Sequence, residues 1–268
     1  MEDYYRIVEG SRKFILTEKG KQELKQQYAK GYSQSKIANK FGVSREVIIR
    51  WMKEENIPTR KRIYSIQEDY FKNIETEEQA YWLGFLSADG YVHEERGEIT
   101  LELQESDKEH VQKFAKAIQS NKPLMEIRCG ENKEFLHYRF TIRCRKMVDD
   151  LKKYNVCQRK SLTFTPPELP ENLVPYWILG YMDGDGCVYN AKGRVKINFI
   201  GTLVTLQFIK TFFSSSNQIY LEHNCQNTYS FTLEVAKSET FLREMNYNNL
   251  HYALERKKSV MPQLYSNV

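Results

Sequence analysis

The chain has 268 residues, 41% hydrophobic and 13% aromatic, enough to bury a sizeable core and to build two or three domains. No run approaches the length of a membrane span, and no apolar signal stretch follows the charged amino terminus, so an intracellular protein without a membrane partner is expected. The net charge of +5 conceals an asymmetry: residues 19–62 carry twelve Lys/Arg against four Glu, a balance of +8, which leaves −3 for the rest. A basic partner surface is thus concentrated near the front. The five cysteines (Cys129, Cys144, Cys157, Cys187, Cys225) are scattered and form no CxxC pair, which indicates neither a disulfide framework nor a zinc site.

Residues 1–18 read as an arm or a short strand pair. Residues 19–57 read as three helices. The first follows Gly20-Lys21 and runs to about Lys30. The second, capped by Ser33, spans Gln34–Phe41 with Ile37, Ala38 and Phe41 facing inward. Gly42-Val43 makes a turn, and Ser44 caps a third helix from Arg45 to about Glu55, with Val47, Ile48 and Trp51 as its apolar stripe. The spacing of Ala38, Gly42, Val43 and Ile48 resembles the helix-turn-helix domains of resolvases and transposases. That resemblance implies Arg45, Glu46, Ile49 and Arg50 in a DNA major groove, with Lys36 and Lys40 near phosphates. The alternative is a small helical domain that binds protein. Pro58 ends the third helix and opens a linker over residues 58–74. Its Arg60, Lys61 and Arg62 either follow a phosphate backbone or merely solvate a tether.

Residues 75–160 and 161–268 read as two copies of one αββαββα unit. In the first, a helix is followed by a hairpin with its turn at Gly97, in which Ile99, Leu101 and Leu103 alternate with polar residues. A helix over 107–119 follows, then strands over 124–130 and 137–145 and a helix over 146–156. In the last strand Arg139, Thr141, Arg143 and Arg145 share a cationic face opposite Tyr138, Phe140, Ile142 and Cys144. In the second copy Arg194, Lys196 and Asn198 alternate with Val195, Ile197 and Phe199. Helices over 203–213 and 239–245 bracket strands over 219–224 and 228–235.

Each copy opens on a related nonamer, Trp82-Leu83-Gly84-Phe85-Leu86-Ser87-Ala88-Asp89-Gly90 and Ile178-Leu179-Gly180-Tyr181-Met182-Asp183-Gly184-Asp185-Gly186. Small residues four apart (Gly84/Ala88, Gly180/Gly184) fall on one helical face, so the two helices can approach more closely than ordinary packing allows. Asp89 and Asp185 then stand side by side at the helix ends, with Gly90 and Gly186 suited to a left-handed stop. A carboxylate facing the negative end of its helix and a second carboxylate is unfavourable. Without a cation one of the pair should hold its proton, and a divalent metal removes the conflict.

These two nonamers resemble the motif of the LAGLIDADG homing endonucleases in their single-chain, two-motif form. The resemblance covers roughly Ile74–Val268. In the first copy Ser87 replaces an acidic residue at a position that is variable and helix-capping in that family. The implied fold is α+β, a pseudo-twofold duplication whose two sheets make a DNA-binding saddle, here behind a helix-turn-helix module. The implied activity is cleavage of both strands of a long, nearly asymmetric DNA site, leaving 3′ overhangs. Metal ligands would be Asp89 and Asp185, with Mg²⁺ as cofactor, Mn²⁺ as a substitute and Ca²⁺ binding without supporting cleavage. Lys160 and Lys257 match the lysine beside each active site, although Arg159 and Lys258 are alternatives. Gln104 matches a glutamine that orients hydration water, and its counterpart, Ile200, is apolar, so unequal strand cleavage is expected. The protein is expected to be a monomer acting on double-stranded DNA in a bacterial or phage-infected cell, as part of a mobile element such as a homing intron.

Other classes share the resemblance. WhiA-type regulators keep the fold as DNA-binding transcription factors without cleavage, and maturases assist RNA splicing. Retention of both aspartates favours the nuclease over the regulator. Intein excision is disfavoured, because the ends at Met1 and Val268 carry neither an initial nucleophile nor a terminal His-Asn.

Overall fold

In the computed structural model the described residues are 4–7, 14–59, 64–223 and 225–260, and they form two units, divided between Ile63 and Tyr64. In the first unit β1 (Tyr5–Ile7) pairs antiparallel with β2 (Phe14–Leu16), and three helices follow: α1 (Glu18–Ala29), α2 (Gln34–Phe41) and α3 (Arg45–Glu54). Thr17 caps α1 by accepting from the Gly20 amide, and Ser33 caps α2 by accepting from that of Lys36. Gly42 takes the left-handed conformation (φ 68°) that closes α2. Ser44 has the extended backbone of a cap but makes no side-chain capping bond. Leu24, Ile37, Phe41, Ile48 and Trp51 make the core of this unit. The Trp51 indole donates to the Phe14 carbonyl, which fastens the strand pair to α3.

The second unit is built on a helix pair. The first half runs α4 (Glu77–Ala88), β3 (Tyr91–His93), β4 (Glu98–Gln104), α5 (Lys108–Ala117), β5 (Met125–Cys129), β6 (Phe135–Arg143) and α6 (Arg145–Lys152). The second runs α7 (Val174–Asp185), β7 (Gly186–Ala191), β8 (Arg194–Gly201), α8 (Leu203–Phe212), β9 (Ile219–Leu221), β10 (Tyr229–Thr232) and α9 (Val235–Glu244), and ends in the short α10 (Glu255–Lys258). The two antiparallel sheets have matching orders, β3-β4-β6-β5 and β7-β8-β10-β9. Together these elements form the duplicated αββαββα fold that the repeat implies.

The central helices α4 and α7 are buried on nearly every side, as helices apolar all round must be. Their contact is reciprocal. A Cβ on Gly84 would collide with the Trp177 carbonyl, one on Gly180 with the Tyr81 carbonyl, and one on Gly184 with the Cβ of Ala88. The small residues are therefore places where backbone meets backbone.

Three expectations need correction. The linker is shorter than 58–74, because Tyr70, Phe71 and Ile74 are buried in the core of the second unit and the Gln67 amide donates to the Ile118 carbonyl. Residues 60–63 lie outside the described residues, and with them Arg60, Lys61 and Arg62. The last strand of the first half ends at Arg143, so Arg145 opens α6 and donates to the Glu94 and Glu95 carbonyls, leaving the sheet face. Gly90 and Gly186 are not left-handed; Gly186 is extended (φ −98°, ψ 169°). They are glycine because a Cβ would press on the carbonyl four residues back, Leu86 and Met182 respectively.

Candidate active site

A capping box between Thr76 and Gln79 starts α4, and Pro175 stands in the first turn of α7. From these starts the two twelve-residue helices run along each other and deliver Asp89 and Asp185 to one cleft of about 500 Å³. Among the described residues no hydrogen-bond donor reaches either carboxylate. Asp89 opens to solvent through the cleft, yet protein surrounds it on most other sides. Burial pushes its pKa above the ordinary carboxylate value against the pull of Lys257, Lys160 and Arg256. Asp185 is pushed up to about 6, by burial first and then by the Asp89 charge. A pair of under-coordinated carboxylate oxygens in mutual repulsion fits a hard divalent cation.

Lys160 and Lys257 are buried, 6% and 4% exposed, a state that lysine reaches when paired. Each is paired with a helix end. The Lys160 ammonium donates to the carbonyls of Ala88 (3.2 Å) and Gly90 (2.5 Å). That of Lys257 donates to Met182 (2.5 Å), Asp183 (2.8 Å) and Gly186 (2.7 Å). Both bond carbonyls where α4 and α7 stop, although that of Met182 also accepts the Gly186 amide, and both place a positive charge at the negative pole of a helix. Burial lowers the pKa of each lysine while the nearby aspartates raise it. Of the alternatives, Lys258 is turned to the Leu250 carbonyl and Glu255, whereas Arg159 lines the cleft from a left-handed residue (φ 60°).

The two flanks of the aspartates differ. Lys160 shares its cleft with Ile200, 38% exposed. On the other flank the Gln104 amide donates to Asp107 (3.4 Å), whose buried carboxylate accepts three hydrogen bonds from Arg256 (3.1–3.2 Å). Sequence reasoning missed Asp107 and Arg256, because nothing local ties residues 149 positions apart.

It also missed Asp183. This carboxylate, 1% exposed, accepts from the Tyr81 hydroxyl (2.6 Å), the Tyr247 hydroxyl (2.5 Å) and the Leu254 amide (2.9 Å). Its signal in the sequence was the acidic residue at the place where the first copy has Ser87. Ser87 does not cap a helix: its hydroxyl donates to the Leu83 carbonyl (2.8 Å) and accepts from the Trp177 indole (3.3 Å). The seam thus repeats a cross-link, Tyr81 to Asp183 and Trp177 to Ser87, with all four residues at equivalent positions of the two motifs.

The expected cationic faces are largely paired. On the outer face of the first sheet Arg139 meets Glu102 (2.5 Å) and Arg143 meets Glu98 (2.6 Å), while in the second half Arg194 meets Glu239 (2.9 Å). Asn198 accepts from Thr232 (2.9 Å), and Lys196 is half-buried with no ion pair among the described residues. A groove of about 540 Å³ leads from Asp89 along this outer face past Thr100, Glu102 and Arg139. In the first unit Arg45 is exposed and accompanied by Gln34 (3.1 Å), Lys36 lies over the Tyr32 ring and Lys40 pairs with Glu23 (2.5 Å). Arg50 does not lie free on the outer face of α3; it is half-buried, donating to the Phe14 carbonyl (3.0 Å) beside Glu54.

The architecture is the LAGLIDADG homing endonuclease fold. Among solved structures, the homing endonuclease I-WcaI bound to its DNA recognition sequence aligns over 78% of this chain and 96% of its own, with a TM-score of 0.50 and 11% identity. The meganuclease I-AabMI bound to uncleaved DNA aligns over 67% of this chain and 87% of its own (TM-score 0.43, 12% identity). Full-length DUF199/WhiA from Thermatoga maritima aligns over 74% and 63% (TM-score 0.43, 15% identity). No protein-family profile and no curated protein sequence matches the chain. Among the described residues no helix is long and apolar enough to cross a membrane.

Proposed function

We propose that the protein is a site-specific DNA endonuclease that hydrolyses both strands of a long, nearly asymmetric site and leaves 3′ overhangs. The observation that carries this reading is the pair Asp89 and Asp185, held at the ends of two helices in backbone contact and left without protein donors among the described residues. Mg²⁺ bound between them, with Mn²⁺ as a substitute, would supply an activated water and charge neutralisation at the attacking and leaving oxygens of the phosphate. The aspartates act as ligands and need not take the proton themselves. Lys160 uses two of its three N–H groups on α4, which leaves one for an oxygen in the cleft, such as that of a scissile phosphate. Gln104 would orient water on the flank of Lys257.

Support for DNA as the partner comes from the polar sheet face continuous with Asp89 and from the basic composition of residues 19–62. In this reading α2 and α3 form a helix-turn-helix, with Arg45 entering a major groove and Lys36 near the backbone. Arg143, Arg194 and Asn198 would contact DNA after exchanging intramolecular partners for phosphates or bases, Arg139 would do so through its terminal N–H groups while its Nε keeps Glu102, and Lys196 would do so directly. The enzyme would act as a monomer, since one chain supplies both aspartates.

Cleavage of a randomised duplex library tests the proposal, with wild type compared with Asp185→Asn in Mg²⁺ and in Ca²⁺. Discrete double-strand cuts that vanish in the variant and in Ca²⁺ are expected. Sequence-selective binding with no cut in Mg²⁺ or Mn²⁺ would replace the nuclease with a binding protein of the same fold.

A further inference from the structure

Glu102 of β4, Cys129 at the end of β5 and His137 of β6 converge on the outer face of the first sheet. Register puts them there: Gln104 lies opposite His137, Glu102 opposite Arg139 and Cys129 opposite Phe135, while Leu101 and Phe140 point to the core. The Glu102 Oε1 is 3.2 Å from His137 Nδ1 and 3.9 Å from Cys129 Sγ, and one ligand atom from each of the three residues lies within 4.8 Å of the other two. We infer that Glu102, Cys129 and His137 form a binding site for a zinc-class divalent cation, separate from the aspartate pair.

The spacing suits the ion. Tetrahedral zinc, with bonds of about 2.0–2.3 Å, sets its ligand atoms roughly 3.3–3.7 Å apart, so the closure needed is on the order of 1 Å. The carboxylate is already oriented for it. Arg139 Nε holds Glu102 Oε2 at 2.5 Å, which leaves Oε1 as a single ligand atom and supplies the supporting contact that metal-bound carboxylates use. Thiolate, imidazole and carboxylate together select zinc, cobalt or nickel over magnesium, whereas the oxygen-only pair Asp89/Asp185 favours the harder ion. Three protein ligands leave a fourth position for water, and all three side chains are half-buried, so the ion has access.

The site would do mechanical work. β5 is an edge strand, bonded in its sheet to β6, and an ion shared by Glu102, Cys129 and His137 links it across β6 to β4. The ion would also set a positive charge on the sheet face that the groove from Asp89 follows. No local motif announces this, because Glu102 stands 27 residues from Cys129 and 35 from His137, on three separate strands.

The cation site is independent of nuclease activity, and its test needs no DNA. The metal-free full-length chain is titrated with Co²⁺ in the presence of excess Mg²⁺, with thiolate-to-cobalt charge transfer as the readout. One equivalent should bind, and Zn²⁺ should displace it. Cys129→Ser should abolish the band, His137→Ala should weaken binding at least 10-fold, and Cys187→Ser should leave it intact. Zn²⁺ should raise the wild-type thermal midpoint and leave that of Cys129→Ser and His137→Ala unmoved. Absence of the band in wild type, or its survival in Cys129→Ser, would overturn the site. If one variant fails to fold, the other, together with the wild-type titration, decides.

Discussion

Asp183 and Tyr81 are joined across the helix seam by a hydrogen bond of 2.6 Å, although they belong to opposite halves of the repeat. Tyr247 and the Leu254 amide complete the shell of this carboxylate, which draws the segment preceding Lys257 against α7. Asp183→Asn turns one acceptor into an NH₂ that faces donors. It is expected to destabilise the protein by about 2–3 kcal/mol, the cost of unsatisfied buried polar groups. Tyr81→Phe, which removes one donor, should cost about 1 kcal/mol. Urea unfolding measures both, and equal costs would show that Asp183 is not the centre of the network.

Asp185 sets a pH dependence. Its pKa is about 6 when folded and near the ordinary 3.8 when unfolded, so between those values the folded state holds more protons. Stability of the metal-free protein therefore falls as pH rises from about 4 to 6 and then levels off, having lost up to roughly 3 kcal/mol. Asp185→Asn should reduce this slope and leave the part that the raised pKa of Asp89 contributes. Ca²⁺ should raise the urea midpoint at pH 8 and have little effect at pH 5, where the site holds its proton. Unfolding at the two pH values with and without Ca²⁺ tests this; an equal Ca²⁺ effect at both would place the ion elsewhere.

Lys160 and Lys257 should separate in kinetics. Lys257 spends all three N–H groups on backbone carbonyls, and Lys160 spends two. Lys257→Met is expected to lower stability by about 2–4 kcal/mol while Lys160→Met lowers it less. Lys160→Met should lower the rate of one strand's cleavage at least 10-fold and leave a nicked product on a supercoiled plasmid substrate. Two variants with the same nicking pattern would contradict the asymmetry.

Gly180→Ala tests the seam. Its new methyl group would meet the Tyr81 carbonyl, backbone that cannot turn aside. A loss of at least about 3 kcal/mol, or failure to fold, is expected, at the upper end of overpacking costs. A change below about 1 kcal/mol, the lower end of those costs, would mean that the helices can slide apart.

Removal of residues 1–63 should leave a folded remainder, because the second unit has its own core. DNA binding should weaken, and its salt dependence should fall by a slope of about 0.9 for each phosphate that the first unit neutralises. Cleavage at saturating protein should persist. Its abolition at saturation would make the first unit part of the catalytic machinery.

Much of the fold was legible because it rests on short-period patterns. Alternation along Glu98–Gln104 and Arg194–Gly201 exposed both central strands and their inward faces. The recurrence of Gly84 and Gly180 exposed the seam, since a helix needs small residues where another backbone touches it. What stayed hidden depends on distant partners. Arg145 looks like a strand residue until its guanidinium finds the carbonyls of the β3–β4 turn. The start of α9 was concealed because Glu234, whose carboxylate accepts from Ser215 and Ser216, is tied to a turn 18 residues earlier. Arg139 and Arg143 look like free cations until register sets Glu102 and Glu98 opposite them. Of the candidate site, the aspartates were readable from repetition, whereas the engagement of both lysines with helix carbonyls required the tertiary structure.

The collision of each seam glycine with a carbonyl of the facing helix has a metrical consequence. Where side chains interdigitate, a substitution can shift two helices by an ångström and leave both intact. Here main chain bears on main chain at Gly84 and Gly180, so the distance between Asp89 and Asp185 is calibrated by peptide geometry rather than by side-chain size. Changes in the surrounding apolar layers should alter how long the protein survives heating, while the gauge between its paired carboxylates stays constant.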